Sequence, residues 1–393
     1  MLLEELILED YGNIPQKVGS FLLKNNFSTL EQIQKGTHLM INEVADGLAI
    51  LIQRRFVKFF IFEKIFKYHI DRVMVKRRIY FPIYLNYVSS KFSSKHIKQF
   101  SKVLCRGTFK QVEPNPILDE LSDANLLKIE PLSIKKNDYE AVEKQFKASE
   151  RFLIVNFDHL DQKIFEEETI KFISKRYNEA AAAVLRSVLK CDIVDKNSII
   201  KNLESTKILI SDNGTTVNEK DNITEYLKYL CASKVLTQGF DEKRAYFFNS
   251  SRTILKSYRI SLLLKDPSMS RIFRMIQEKE IEDKEITIHS LLSINKVKLS
   301  LLSLQKLGLI SQKCMKDYSA GSRIDHSWFI DIDHASLSMI KKIEIQIAAK
   351  LKSLNGCWDC NYFFENSSEN ANVWTSDMIS LATDHLILGI DII

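Results

Sequence analysis

Apolar positions recur along the chain with a helical period, and the periodic stretches are closed repeatedly by short segments rich in β-branched and aromatic residues. The first stretch is the clearest. Ile14, Val18, Phe21 and Leu22 mark one helical face, which Lys24-Asn25-Asn26 breaks. Ser28 followed three residues on by Glu31 reads as a capping box for a second helix with Leu30 and Ile33 inward, and Gly36 reads as its stop. A third helix carries Ile41, Val44, Leu48 and Leu51 inward; then Phe56 to Ile61 reads as a strand and Lys64 to Asp71 as its return. Three helices closed by a hairpin is the plan of a winged helix, a helix-turn-helix variant.

The order recurs. From Tyr177, Ala181, Val184, Leu185 and Val188 share a face; a short helix follows over Ile199 to Leu203, a turn at Asp212-Asn213-Gly214, a third helix with Ile223, Tyr226, Leu227 and Leu230 inward, and a strand from Ala245 to Phe248. Another copy has Ile272, Met275 and Ile276 in its first helix and His289 to Ser293 as its second. Its third carries Leu301, Leu304 and Leu307 and is broken by Gly308, and a long wing leads to a strand from Trp328 to Ile332. Between Ser93 and Pro131 lies a reduced copy, with Ile97, Phe100, Val103 and Leu104 on a good helix and Leu126 to Ile129 as its terminal strand. Ala335 to Leu354 is helical, with Leu337 and Leu351, and Ile340, Ile347 and Leu354, at heptad spacing. Glu344 falls on that seam, so a short antiparallel pairing with His385 to Ile393 is expected rather than a long coiled coil. The expected fold is mainly α with small β wings: tandem winged-helix domains plus a short C-terminal helical hairpin. The expected divisions are 1–82, 83–134 (reduced), 135–262 and 263–334 for the four modules, and 335–393 for the C-terminal helical region.

Composition narrows the class. At 393 residues the chain exceeds one compact core, and 11 Gly and 6 Pro leave little punctuation for an all-β fold. No stretch reaches the roughly 18 apolar residues a membrane span needs, and the opening Met1-Leu2-Leu3-Glu4-Glu5 is acidic where a secretion signal is basic, so an intracellular protein is expected. Cys105, Cys191, Cys231, Cys314, Cys357 and Cys360 then default to small buried hydrophobes. Charge is uneven. From Arg54 to Lys110 there are fifteen Lys or Arg against two acids, Glu63 and Asp71, a net of +13; the whole chain is +6, so the remainder sums to −7. Such a segment suits contact with a polyanion or with an acidic protein.

The candidate contacts are Arg54, Arg55, Lys58, Lys76, Arg77, Arg78, Lys91, Lys95, Lys98 and Lys102, the last four spaced as one helical stripe opposite Ile97, Phe100 and Leu104. Contacts would go to phosphates and be salt-sensitive. Base reading is not expected, because the first module's third helix offers Asn42, Glu43 and Asp46. No catalytic chemistry stands out. Phosphate loops and His-Glu-x-x-His are absent. Asp331-Ile332-Asp333 reads as a wing strand and Glu166-Glu167-Glu168 as a solvated helix face. Cys357-Trp358-Asp359-Cys360 lacks a redox context and two further zinc ligands, only His334 and His385 lying nearby, so no metal or cofactor is expected.

Several stretches resemble the large winged-helix subunit of the RNA polymerase III initiation heterotrimer, a family related to the alpha subunit of the general factor TFIIE. They are Tyr11-Gly12 through Val18 to Leu23, Leu51 through Phe59, Arg271 through Ile276 and, most specifically, Arg77-Arg78-Ile79-Tyr80-Phe81-Pro82-Ile83-Tyr84-Leu85, which is similar to the signature joining that family's first and second modules. The chain is shorter than typical members, chiefly in the second module and the C-terminal coiled coil. The resemblance implies a non-catalytic nuclear subunit that sits with two smaller partners on the polymerase clamp and helps open promoters for tRNA, 5S rRNA and other small RNAs. It implies no membrane and no small-molecule ligand. A winged-helix scaffold in another assembly, of endosomal-sorting or proteasome-lid type, is the alternative. A dimeric sequence-specific repressor fits four unlike modules poorly.

Overall fold

The computed structural model describes residues 2–63, 65–111, 114–130, 151–190, 198–199, 219–238, 246–248, 253–316, 324–353 and 376–389. They form two compact units: residues 1–161 with 342–386, and residues 162–341 with 387–392.

The first unit opens with helix α1 (Leu2–Tyr11), then α2 (Asn13–Lys24), α3 (Leu30–Thr37), α4 (Ile41–Gln53) and the hairpin β1 (Val57–Phe62) and β2 (Ile65–Ile70). Val18, Leu22, Ile33, Val44, Leu48, Leu51 and Ile70 close this module's core, while Ile41 stays exposed. Two local details differ from expectation. The capping box is Thr29 with Gln32, because Ser28 is buried and bridged to Tyr68 as a vestigial strand. Helix α3 also runs through Gly36 and ends at left-handed His38; Gly36 is small because the Phe21 ring lies over it.

Next come α5 (Arg72–Arg77), a 3-10 turn at Arg78–Tyr80, and α6 (Phe81–Lys91). The second module follows as α7 (Ser94–Arg106), β3 (Phe109–Gln111), α8 (Pro116–Asp123), β4 (Leu127–Ile129) and β5 (Arg151–Val155). Leu126 to Ile129 is not its terminal strand: β5 lies between β3 and β4, antiparallel to both, and carries this sheet to Val155. Sequence distance concealed β5, because its partners lie more than twenty residues upstream. Gly107 ends α7 at φ +73, with the backbone of Gln53 and Arg54 3.1 Å from where a Cβ would stand.

In the second unit, α9 (Phe157–Arg176) supplies residues from Gln162 onward, followed by α10 (Glu179–Leu189), α11 (Glu219–Ala232) and the hairpin β6 (Leu236–Gln238) and β7 (Tyr246–Phe248). Ala181, Val184, Leu185, Val188, Ile223, Leu227 and Leu230 form one core cluster. The Asp212-Asn213-Gly214 turn and most of the helix expected at Ile199 to Leu203 lie outside the described residues. After α12 (Thr253–Leu263), the fourth module runs α13 (Pro267–Glu278), β8 (Ile281–Glu282), α14 (Asp283–Ser290), α15 (Ile294–Lys306), β9 (Ser311–Lys316) and β10 (Ile324–Phe329). Its second helix thus begins at Asp283 rather than His289, with Asp283 and Glu285 in the first turn facing the helix dipole and Ile286 buried. The sheet order β8-β10-β9 repeats that of β3-β5-β4, the last strand central in each.

The four modules share one device at the joint between last helix and wing. A buried leucine (Leu51, Leu121, Leu230, Leu304) is followed four residues on by a left-handed residue (Arg55, Asn125, Lys234, Gly308) and then by a buried apolar one (Phe56, Leu126, Val235, Leu309). In each, the amide of that apolar residue donates to the leucine carbonyl five positions back at 2.9–3.0 Å. This is the Schellman arrangement, which satisfies the helix's last carbonyls and aims the chain into the strand.

Two helices remain, α16 (Ile332–Ser353) and α17 (Ser376–Gly389). Asp331 caps α16 by accepting from the amides of Asp333 and His334, so the Asp331-Ile332-Asp333 stretch is a helix start and not a wing strand. Within the first unit, Glu344 meets His385 and Lys350 meets Asp377, so the two helices run antiparallel there. The fold is mainly α with small antiparallel wings, as expected.

The shared joint carries a test. Left-handed backbone costs a non-glycine residue roughly 1–2 kcal/mol, so Lys234→Gly is expected to raise unfolding free energy by about 1 kcal/mol and Gly308→Ala to lower it by at least that much. Urea midpoints that move the opposite way in both variants would contradict the assignment.

Candidate nucleic-acid interface and the joint beside it

Asp71 begins the joint. It caps α5 by accepting from the amides of Val73 and Met74 and pairs with Lys58 at 2.7 Å. Burial pushes its carboxyl up, but Lys58 and the two amides outweigh that and hold it below its ordinary value. The signature Arg77 to Leu85 then winds through the 3-10 turn into α6, with Pro82 in the first turn, where its missing N–H costs nothing.

The arginines and aromatic residues of that signature each have a partner within the protein. Arg78 grips Asp10 of α1 with Nε at 2.5 Å and a second nitrogen at 3.1 Å, and the Asp10 side chain is 3% exposed. Arg77 meets Asp158 at 3.1 Å and Asp161 at 3.5 Å and lies over the Phe157 ring. Tyr84 donates to Asp161 at 2.6 Å, and Phe81 stacks on Phe157. Tyr80 and the His385 Nδ1 stand 2.7 Å apart, and the His385 Nε2 lies 3.3 Å from Glu344, which also holds Lys76 at 2.8 Å. Burial pushes both tyrosine hydroxyls far above their ordinary value, so each keeps its proton, and Tyr84 donates it to Asp161. The His385 ring thus bridges the two, with Nδ1 toward the Tyr80 hydroxyl and Nε2 toward the Glu344 carboxylate. Hydrogen bonding from His385, with Lys76 beside it, outweighs burial and holds Glu344 down at about 2.

The ten cations read from the sequence thus separate into two groups. Six are engaged within the protein: Arg54 donates to the Cys105 carbonyl and lies over Tyr11, Arg55 pairs with Glu130 at 2.5 Å, and Lys58, Lys76, Arg77 and Arg78 are paired as above. Lys91 lies over the Tyr87 ring at 5.9 Å. Lys95, Lys98 and Lys102 are exposed at i, i+3 and i+7 of α7, whose other face buries Phe100, Val103 and Leu104. Five of the neutralising acids (Asp10, Glu130, Asp158, Asp161 and Glu344) come from outside the 54–110 window, so no local charge count reveals them.

The first wing is less cationic than its sequence implies. Phe59, Phe60, Ile61, Phe62, Ile65 and Phe66 are all about half exposed, and Lys67 folds over the Phe62 ring; Lys64 lies outside the described residues. On α4, Asn42 and Asp46 face solvent, while Glu43 accepts from the Met40 amide. Burial pushes the Cys105 thiol up to about 11, away from reactivity. Glu166 pairs with Lys163, and Glu168 with Arg259 and Lys171. Among the described residues no group of three His, Cys, Asp or Glu is placed to hold a metal, and no helix is long and apolar enough to cross a membrane. Cys191, Cys357 and Cys360 lie outside the described residues.

Three-stranded wings with a central last strand, repeated behind a common helix joint, define a helix-turn-helix protein of the winged type. Residues 2–61 match the family model of the RNA polymerase III subunit RPC82 helix-turn-helix domain, which bears out the resemblance read from the sequence through that module. The match supports membership in the RNA polymerase III machinery. No curated protein matches the chain.

Two tests follow. Removing one member of a buried ion pair costs about 3–5 kcal/mol, so Arg78→Met is expected to lose stability on that scale, and adding Asp10→Leu to recover most of it; a double variant no better than the single would contradict the pairing. Glu344 is depressed when folded, so its contribution is full above the unfolded carboxyl value of about 4.3 and is lost as pH falls toward about 2. The stability gap between the wild type and Glu344→Gln should be constant near neutrality and close across that acid window, as read by urea unfolding at each pH.

Proposed function

We propose that the chain is a non-catalytic subunit of nuclear RNA polymerase III. In this reading it scaffolds two smaller partners on the polymerase clamp and assists promoter opening for tRNA, 5S rRNA and other small RNAs. The observation that carries the reading is the family match over residues 2–61. Four modules that each repeat one helix–wing joint support it, because several small domains offer many faces for holding partners. The proposed divisions are 1–82, 83–134, 135–262 and 263–334, except that β5 (Arg151–Val155) pairs into the second module's sheet and moves that boundary beyond residue 134.

Promoter DNA meets the chain along α7, at Lys95, Lys98 and Lys102 with Lys91 beside them, through phosphates. The cations from Arg54 to Arg78 act indirectly, by holding the module joint that presents this helix. Recovery of the largest polymerase III subunits with the tagged chain tests the assignment, and recovery of none would refute it. For the DNA surface, Lys95→Ala/Lys98→Ala/Lys102→Ala should flatten the salt dependence of duplex binding by about 3 in log–log slope. A slope equal to that of the wild type would exclude α7 as the contact.

A further inference from the structure

The fourth module's third helix does not carry the chemistry of a reading helix. Val297, Ser300, Leu301 and Leu304 of α15 face the core. The opposite, most exposed stripe is Asn295, Leu299, Leu302 and Lys306, at i, i+4, i+7 and i+11, and the two leucines are 66% and 60% exposed. Hydrocarbon at the centre of that stripe offers nothing to a phosphate and no donor to a base edge. Lys296, Lys298 and Lys306 are the helix's charges, with no acid in it, and none is paired among the described residues. The adjoining turn adds to the pattern. Leu291, the left-handed C-cap of α14 at φ 55, is 87% exposed.

We propose that this face is a protein-docking seam whose occupant is an amphipathic helix with apolar residues at heptad spacing flanked by Asp and Glu. Heptad spacing of Leu299 and Leu302 suits helix-on-helix packing, and the flanking lysines select an acidic partner. A second copy of this chain is disfavoured by the same lysines, which would face one another. The proposal goes beyond the polymerase assignment and does not depend on it.

The probe is a fluorescent three-heptad peptide with Leu at the a and d positions and Glu at e and g, which its own charge keeps from self-association, alongside a version with Lys at e and g. Anisotropy titration of the full chain should show saturable binding of the Glu peptide and little of the Lys peptide. Lys298→Glu/Lys306→Glu should weaken the Glu peptide roughly tenfold or more and favour the Lys peptide. Leu299→Ser/Leu302→Ser should remove both without changing the circular dichroism. Absence of saturable binding, or equal binding of both peptides, would overturn the proposal. So would loss of duplex affinity in the lysine variant with peptide binding intact, or a wild-type dimer that the leucine variant dissociates. The α7 lysines are untouched in these variants, so failure here leaves the DNA test standing, and the reverse holds too.

Discussion

The first unit depends on charges taken out of water and matched there. A buried Arg or Asp alone would cost several kcal/mol, so the arrangement holds only if every member is paired and hydrogen-bonded. Arg78 with Asp10 and the chain from Lys76 through Glu344 and His385 to Tyr80 meet that condition; Arg77 is paired with Asp158 and Asp161, but its buried Nε finds no hydrogen-bond partner among the described residues. Such contacts are directional. They fix angles between helices where apolar packing alone tolerates sliding, which suits a scaffold whose purpose is to hold surfaces in register.

That constraint reassigns the basic segment. A run of +13 invites a single explanation, yet Arg55, Lys58, Lys76, Arg77 and Arg78 are absorbed by the protein's own acids, while Lys95, Lys98 and Lys102 of α7 face solvent. The wing between them presents aromatic carbon, and the fourth module's reading helix presents leucine. Three modules with one topology therefore display three different surfaces. The winged-helix plan fixes where a surface sits and leaves its chemistry open.

Much of the fold was legible because helical periodicity is local. The apolar sets of α2, α4, α7, α10 and α15 lie within one element, and their spacing survives folding almost unchanged. What stayed hidden was non-local or sterically irregular. β5 is bound to partners across residues that carry no strand pattern of their own, and the acids that neutralise Arg77, Arg78 and Lys76 lie as far away as residue 344. The helix joint is the instructive case. Gly308 and, less strongly, Asn125 bear residues that advertise the conformation; Arg55 and Lys234 are held there by the buried leucine and apolar residue on either side. The capping box was misplaced by one residue because Ser28 and Thr29 are chemically alike, and burial chose between them.

One unit of this protein is closed by residues from both ends of the chain, and that bears on its birth. Tyr80 and His385 are 305 residues apart. At a synthesis rate of about 5–20 residues per second, the tyrosine waits on the order of a quarter to a full minute for its histidine. Through that interval Lys76 and Tyr80 stand without Glu344 and His385. Newly made chains accordingly pass through an incomplete state whose completion is timed by the arrival of α17.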